Sequence, residues 1–168
     1  MIAPELSTDN SRVKLVEPEV ERDASLGVKW LEGDAGRQTL ALMGVLDSDN
    51  KESSLEAERL RIKDFIEKDD QLNWMINFDN KIVGTIWVDL EPTQHLLAPA
   101  VHIMIGDPIA RGHGVGKSAI GSVIKYLQNL GYKKIYSRNL VKNEVASKLL
   151  SSTGFKSLGD KYSDSDGL

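Results

Sequence analysis

Cysteine is absent from the 168-residue chain. A disulfide framework, a thiolate zinc site and a cysteine nucleophile are therefore excluded. A reducing compartment suits such a sequence, and we expect a cytoplasmic protein. Long apolar runs are missing as well, since no stretch approaches the roughly 18 residues that a membrane span needs. The N-terminal stretch MIAPELSTDNSR also lacks the apolar segment of a signal peptide, so we expect no membrane partner.

An excess of positive charge is also lacking. Lys and Arg number 21 against 25 Asp and Glu, which gives a net charge of −4 and a pI near 5.4. A nucleic-acid-binding surface requires clustered Lys and Arg, so no nucleic-acid partner is expected. Hydrophobic residues make up 40% and charged residues 27% of the chain, as in globular proteins. This length and composition suit one domain with its own core.

The chain begins with a polar segment and continues as one domain. Residues 1–11 show no hydrophobic period, and we interpret them as a flexible N-terminal arm. Residues 12–168 contain no repeat, low-complexity stretch or domain boundary. Polar caps and helical spacing predict helices in the first half of this domain. The elements predicted there are a strand over Arg12–Val16, a helix over Asp23–Leu31, one or two helical turns within Gly36–Leu46, and a helix capped by Ser53 and Ser54.

The hydrophobic period changes to that of strands near residue 72. Aromatic and β-branched residues flank Asp79-Asn80-Lys81, which predicts a β-hairpin. Strands and helices then alternate towards the C-terminus. The predicted elements are strands over Leu72–Phe78, Ile82–Leu90, Val101–Ile105 and Lys134–Ser137, helices over Gly114–Leu130 and Glu144–Ser152, and a last strand from Phe155. This order predicts an α+β fold, with helices flanking a mixed, largely antiparallel β-sheet.

A glycine-rich turn after the strand at 101–105 carries the strongest functional signal. Its glycines stand at 112, 114 and 116, where the absence of Cβ lets backbone N–H groups approach an oxyanion. The helix that follows adds unpaired N-terminal donors and the positive end of its dipole. The turn therefore suits a phosphate or pyrophosphate. The alternative is a turn that serves packing alone.

Two common phosphate-binding patterns fit this turn poorly. The Walker A pattern requires glycine where Arg111 stands, and no magnesium-binding aspartate follows an apolar run downstream. The dinucleotide pattern fits only in its looser form, over Gly114, Gly116 and Ala119. It also lacks the acidic residue expected after the next strand.

A third pattern fits better, because Arg111-x-x-Gly114-x-Gly116 matches the signature Q/R-x-x-G-x-G/A. A strand ending in Asp107-Pro108 precedes it, and Asn143-x-x-Ala146 and Gly154-Phe155 follow. In these features residues 72–158 resemble the GNAT N-acetyltransferase superfamily. The resemblance implies acetyl-CoA as co-substrate, no metal, and a primary amine that attacks the thioester directly.

The resemblance also implies which residues contact the cofactor. Backbone amides of the turn would wrap the pyrophosphate, and the end of the preceding strand would pair with the pantetheine arm. Asn143 would contact the cofactor, cap the following helix, or do both. Lys117 could pair with a phosphate or be a solvated helix residue. The implied cofactor-binding residues are Met104, Ile105, Gly106, Arg111, Gly112, His113, Gly114, Val115, Gly116, Lys117 and Asn143.

The candidates for a catalytic base lie on the strands before the turn. His102 sits in an apolar strand, and an imidazole is matched to amine deprotonation at neutral pH, although a structural histidine is the alternative. Glu91 and Asp89, at the end of the preceding strand, could serve as base or anchor a cationic substrate; solvated charges are the alternative. In the family a tyrosine often protonates the thiolate, and here Leu150 stands at that position. The proton donor is therefore left open.

The acceptor remains open between a protein N-terminus, a lysine and a small-molecule amine. Leu150 leaves room for a second class, an acyl-CoA-binding regulatory protein without turnover, and a nucleotide-binding phosphotransferase is a third. Ser163–Gly167 predicts a turn with no returning strand after it. Such a strand could be dispensable, or a neighbouring subunit could supply an edge, so a homodimer is one arrangement consistent with the sequence.

Overall fold

Blocks of strands and helices follow one another through the part of the chain that a computed structural model describes, residues 3–45 and 53–162: two strands, three helices, three strands and two helices. The strands are β1 (Leu6–Ser7), β2 (Val13–Val16), β3 (Gln71–Phe78), β4 (Lys81–Asp89) and β5 (Ala100–Ile105). The helices are α1 (Val20–Leu31), α2 (Gly33–Met43), α3 (Leu55–Glu67), α4 (Val115–Asn129) and α5 (Glu144–Ser152), with a 3-10 helix at Pro108–Ala110. The strands form one antiparallel sheet in the order β1-β2-β3-β4-β5, which confirms the predicted α+β fold.

The predicted hairpin lies at the centre of the sheet. β3 and β4 pair directly across the turn at Asp79 and Asn80. Both turn residues have positive φ, 50° and 65°, as a two-residue hairpin turn of this kind requires. Arg12 donates to the Asp79 carboxylate and ties β2 to the same end of the hairpin.

Different helices cover the two faces of the sheet. Because strand residues alternate between faces, Trp74 and Ile86 point to one side, while Met75 and Met104 point to the other. The first side packs on α4, and the second packs on Trp30 of α1 with α3 beside it. The buried residues of α4 against the sheet are Val115, Ala119, Ile120, Val123 and Leu127.

Local signals set the ends of the helices. The Ser54 hydroxyl accepts from the Ala57 N–H at 3.1 Å and starts α3, as the sequence predicts. α2 runs for 11 residues and is longer than the one or two turns predicted; the predicted end at Leu46 lies outside the described residues.

Over residues 3–45 and 53–162, no helix is long and apolar enough to cross a membrane.

The N-terminal arm packs on the sheet, and the prediction of a flexible arm is wrong for residues 3–11. β1 pairs with β2, and Ala3 is buried. The indole N–H of Trp74 donates to the Pro4 carbonyl at 2.7 Å. A buried indole N–H requires such an acceptor, and the arm supplies it. The arm has no hydrophobic period of its own, so its pattern did not indicate this contact.

The strand predicted at Lys134–Ser137 is reduced to one parallel bridge, between Tyr136 and Ala100. The Tyr136 carbonyl accepts from the Val101 N–H at 2.8 Å. In a continued parallel ladder, the Val101 carbonyl would accept the N–H two residues beyond Tyr136. The Ser137 hydroxyl donates to that carbonyl instead, at 2.7 Å. The pairing therefore stops at once, and the remainder of β5 keeps an open edge among the described residues.

Residues 155–162 contain no strand, although the sequence predicts one from Phe155. Gly154, with φ of 96°, follows α5, and the Phe155 N–H donates to the Leu150 carbonyl at 3.1 Å. The apolar signal of Phe155 thus belongs to the end of a helix, where its ring packs against the core. The turn predicted at Ser163–Gly167 lies outside the described residues.

We expect alanine to have opposite effects at two helical glycines. A Cβ atom at Gly27 would lie 2.2 Å from Oε2 of Glu58, a buried carboxylate held by Ser53 and Arg61. Gly27→Ala should lower the free energy of unfolding by more than about 1 kcal/mol. A Cβ atom at Gly121 meets nothing within 4 Å, so Gly121→Ala should raise it by about 0.5–1 kcal/mol. Urea unfolding measures both, and a neutral Gly27→Ala would contradict this packing.

Candidate active site

The glycine turn connects β5 to α4 through a fixed local path. The Asp107 carboxylate accepts from the Ile109 N–H at 3.0 Å and starts the short 3-10 helix. Gly112 and Gly114 then have φ of 78° and 72°, in the left-handed region that favours glycine. A Cβ atom at either position would meet nothing within 4 Å. Backbone conformation, and not crowding, therefore requires glycine at both.

The turn and the first residues of α4 present a run of backbone N–H groups. Ser118 donates the first helical hydrogen bond, to the Gly114 carbonyl at 3.0 Å. The amides of residues 115–117 precede it and so have no helical acceptor. Among the described residues, no acceptor bonds to the amides of 112–117. Together with the helix dipole, these donors fit an anion.

Basic and imidazole side chains surround the turn. An Arg111 Nη atom donates to the Ile105 carbonyl at 3.2 Å and ties the turn to the end of β5. The His113 ring stacks on Phe78, with centroids 5.7 Å apart, and Lys117 is exposed. Residues 101–162 carry ten Lys and Arg against three Asp and Glu, although the whole chain is negative. The turn therefore lies in the basic part of the sequence.

The open edge of β5 runs towards this turn. The N–H of Val101 points to Tyr136, so strand alternation directs the backbone groups of Ile103 and Ile105 to the same side. Apart from the single bridge, no strand among the described residues pairs with that edge. An extended ligand chain could therefore pair with it.

Two strand-end residues predicted to contact the cofactor point elsewhere. The Gly106 N–H donates to the Val83 carbonyl at 2.9 Å, on the side away from the open edge. Met104 is buried against Trp30. Ile105 does lie on the edge, and so does Ile103, which was not among the predicted residues. The two-residue period of the strand would have indicated it.

Helix α5 forms the wall that faces this edge. A Cβ atom at Gly116 would lie 3.1 Å from a methyl group of Leu149 and 3.7 Å from one of Ile103. Gly116 therefore lets α4, α5 and the edge of β5 meet closely. This crowding, and not a positive φ, is the reason for the third glycine of the motif.

Asn143 has the capping role that the sequence allowed as an alternative. Its Oδ1 accepts from the Ala146 N–H at 3.1 Å, and its Nδ2 donates to the Leu42 carbonyl of α2 at 3.2 Å. Leu150 is half-buried against the core, and a leucine side chain offers no hydroxyl group. The Ser147 hydroxyl is close by in sequence and accepts from an asparagine amide at 2.8 Å.

His102 lies on the sheet face that α1 and α3 cover, in contact with the neighbouring strand. Its ring stacks on Trp87, with centroids 5.2 Å and planes 16° apart. Its Nε2 lies 2.9 Å from Oδ2 of Asp89, although the ring N–H is not aligned with an acceptor among the described residues. Oδ1 of Asp89 accepts from Gln71 at 2.5 Å. A polar chain thus crosses β3, β4 and β5.

The residue against His102 is Asp89, while Glu91 is exposed beyond the end of β4. Burial alone would raise the pKa of Asp89. The contacts with His102 and Gln71 and the charge of Lys68 outweigh burial and hold that pKa below its ordinary value. The carboxylate is therefore ionised at neutral pH and can only accept hydrogen bonds.

Metal-binding and aromatic candidates add little to this site. Within the described ranges, no group of three or more His, Asp or Glu could hold a metal ion. Trp74 and Trp30 belong to the two core clusters, and Trp87 alone of the three tryptophans contacts His102.

Residues 40–155 match the Acetyltransferase (GNAT) family. This match covers more than half of the chain, and the chain belongs to that family. The uncharacterized protein MJ1062 of Methanocaldococcus jannaschii is 31% identical over 96 residues. The aligned stretch covers 55% of this chain and 19% of that relative, so the chain spans about a fifth of the relative's length.

Solved structures of acetyltransferases share the fold. RimL, a ribosomal L7/L12 α-N-protein acetyltransferase in complex with CoA, has a TM-score of 0.73 at 14% identity, covering 92% of this chain and 85% of that one. Spermidine N-acetyltransferase from Vibrio cholerae, in complex with CoA and spermine, has a TM-score of 0.69 at 18% identity, covering 92% and 87%. At these identities the likeness shows the fold.

We expect Asp89 to stabilise the protein only above acidic pH. Its lowered pKa means that ionisation favours the folded state, a contribution present above about pH 4 and lost as pH falls through the lowered pKa. Asp89→Asn should reduce the free energy of unfolding at pH 7 by up to about 1 kcal/mol, because the carboxylate is partly exposed. Urea unfolding at pH 7 and pH 3 measures the difference. The same loss at both pH values would contradict the ion pairing.

Proposed function

We propose that the protein transfers an acetyl group from acetyl-CoA to a primary amine, by direct attack of the amine on the thioester. The observation that carries this proposal is the meeting of the glycine turn with the open edge of β5. The turn offers amides to a pyrophosphate, and the edge offers backbone pairing to an extended chain. We also propose a cytoplasmic location, which the absence of cysteine suits.

The residues at the turn fit the charges of CoA. The amides of residues 112–117 and the dipole of α4 would bind the pyrophosphate, with Arg111 and Lys117 as nearby positive charges. Ile103 and Ile105 would pair with the pantetheine arm through their backbone groups. Asn143 would add a side-chain contact only by giving up its hydrogen bond to α2.

The reaction requires proton transfers at both the acceptor nitrogen and the thioester sulfur. Acetyl-CoA supplies the activated acetyl group, and the acceptor must be a neutral amine to attack it. We assign the ammonium proton to His102 as general base. A C–N bond forms as the C–S bond breaks, the nitrogen loses a second proton as it becomes an amide, and the sulfur takes up one proton. The products are the N-acetylated acceptor, CoA as its thiol, and one proton released to solvent.

His102 suits the base role better than Glu91 does. Its side chain is 17% exposed and is held by a ring stack and a carboxylate, whereas Glu91 is exposed beyond its strand. For the thiolate, Leu150 offers no proton. Because a CoA thiolate is a tolerable leaving group, we propose that solvent protonates it, at some cost in rate.

The acceptor would approach the sheet face on which His102 lies, under α1 and α3. The similar enzymes RimL and spermidine N-acetyltransferase act, as their names state, on a ribosomal protein and on a polyamine. A protein N-terminus, a lysine and a small-molecule amine are therefore the acceptors we propose to compare.

Acyl-CoA binding without turnover is the second candidate function. Leu150, half-buried where a proton-donating tyrosine often stands in the family, favours it. CoA binding without amine-dependent thiol release would support this candidate over acetyl transfer.

We expect amine-dependent CoA release from acetyl-CoA, measured with a thiol reagent across peptides with free N-termini, lysine peptides and polyamines. The protein contains no cysteine and so adds no background. His102→Gln should lower kcat/KM by about 10²–10⁴ without changing CoA affinity. The matched control is His95→Gln, which changes a loop histidine whose ring stacks on Tyr162. This variant should leave the rate unchanged. Failure to bind CoA at all would rule out the proposal.

We expect two capping glycines of the same helix to differ in their effect on CoA binding. Gly114 and Gly131 flank α4, have φ of 72° and 96°, and leave open space for a side chain. Valine should strain the backbone at both. Only Gly114→Val should weaken CoA binding, by at least about tenfold in calorimetric titration, since it alone stands at the anion site. Equal loss in the two variants would contradict this assignment.

A further inference from the structure

Gln71, Asp89 and His102 form a polar chain on one face of three adjacent strands. Gln71 lies opposite Asp89 in the pairing of β3 with β4, and Trp87 lies opposite His102 in the pairing of β4 with β5. Their side chains therefore share the face that α3 covers through the contact of Phe65 with Trp87. Sheet register alone brings these groups together.

We propose that Asp89 is a positioning residue that holds His102 in the neutral tautomer with its proton on Nε2. Nδ1 is then the nitrogen that takes the proton from the acceptor amine. This inference rests on the proposed acetyl transfer, in which His102 is the base.

The carboxylate decides the tautomer because it accepts hydrogen bonds and cannot donate them when ionised. Nε2 of His102 lies 2.9 Å from Oδ2 of Asp89, so an unprotonated Nε2 would hold its partial negative charge beside a negative oxygen. A proton on Nε2 removes that repulsion, and the other ring nitrogen becomes the base.

Two further contacts restrain the geometry of this pair. Gln71 donates to Oδ1 of Asp89 at 2.5 Å, which leaves Oδ2 for the imidazole. Trp87 stacks on the imidazole at 16° and fixes the plane of the ring. The carboxylate and the indole together hold the orientation of His102 that a general base requires.

The tautomer can be read directly by nitrogen NMR of the imidazoles. The chain contains three histidines, so the His102 signals are assigned by their loss in His102→Gln. At a pH where the ring is neutral, we expect the proton on Nε2 in the unchanged protein. In Asp89→Asn, whose amide can donate to Nε2, we expect a shift towards the proton on Nδ1. Asp9→Asn, an exposed aspartate between β1 and β2, is the matched control and should leave the pattern unchanged.

Kinetics separate positioning from substrate binding. Asp89→Asn should lower kcat at least about tenfold with little change in the KM of either substrate, since loss of the correct tautomer impairs proton transfer. Gln71→Leu, which retains the charge of Asp89 and frees its carboxylate, should show a smaller loss of kcat. A raised KM for the amine at unchanged kcat would instead make Asp89 an ammonium anchor and overturn the proposal.

The spectrum does not depend on turnover. A protein that releases no CoA would remove the proposed function, while the tautomer could still be measured. A proton on Nδ1 in the unchanged protein, or identical patterns in the unchanged protein and Asp89→Asn, would overturn the positioning role whatever the activity.

Discussion

The candidate site depends on one hydrogen bond, from the Ser137 hydroxyl to the Val101 carbonyl. A parallel ladder that continued beyond Tyr136 would cover the edge of β5. Because the hydroxyl takes the carbonyl at 2.7 Å, the two segments stay paired only at the Ala100 end. The edge of β5 is left open beside the N-terminus of α4, where backbone amides also lack acceptors among the described residues. The open edge follows from this early end of pairing, whereas the unbonded amides follow from their place before the first helical hydrogen bond of α4.

The two faces of the sheet carry different parts of the structure. Its α4 side carries the core that fixes the first turn of α4, through residues such as Val115 and Ala119. Its other side carries the chain from Gln71 to His102, covered by α1 and α3. In the proposed reaction, the edge between these sides binds the cofactor, and the second side supplies the base. Alternation along β5 is sufficient to give one strand both functions.

Much of this arrangement was predictable from the sequence. The spacing of Arg111, Gly114 and Gly116, and the change of period near residue 72, indicated the turn, the hairpin and the family. Contacts between segments far apart in the chain were harder to predict from the sequence. The contact of Trp74 with Pro4 joins residues far apart in the chain, and the termination at Ser137 depends on one rotatable hydroxyl. The choice of Asp89 over Glu91 beside His102 depends on strand register, which local sequence does not specify.

The most direct test of this site is a titration of the nitrogen-labelled protein with CoA, followed through its backbone amide signals. If CoA binds as proposed, the amides of Ile103 and of residues 112–117 should show the largest shifts, because they lie on the open edge and at the anion site. The amides of β1 and β2 lie away from that edge and should change little. Saturable binding whose shifts fall outside β5 and the glycine turn, or no binding at all, would contradict the proposed cofactor site.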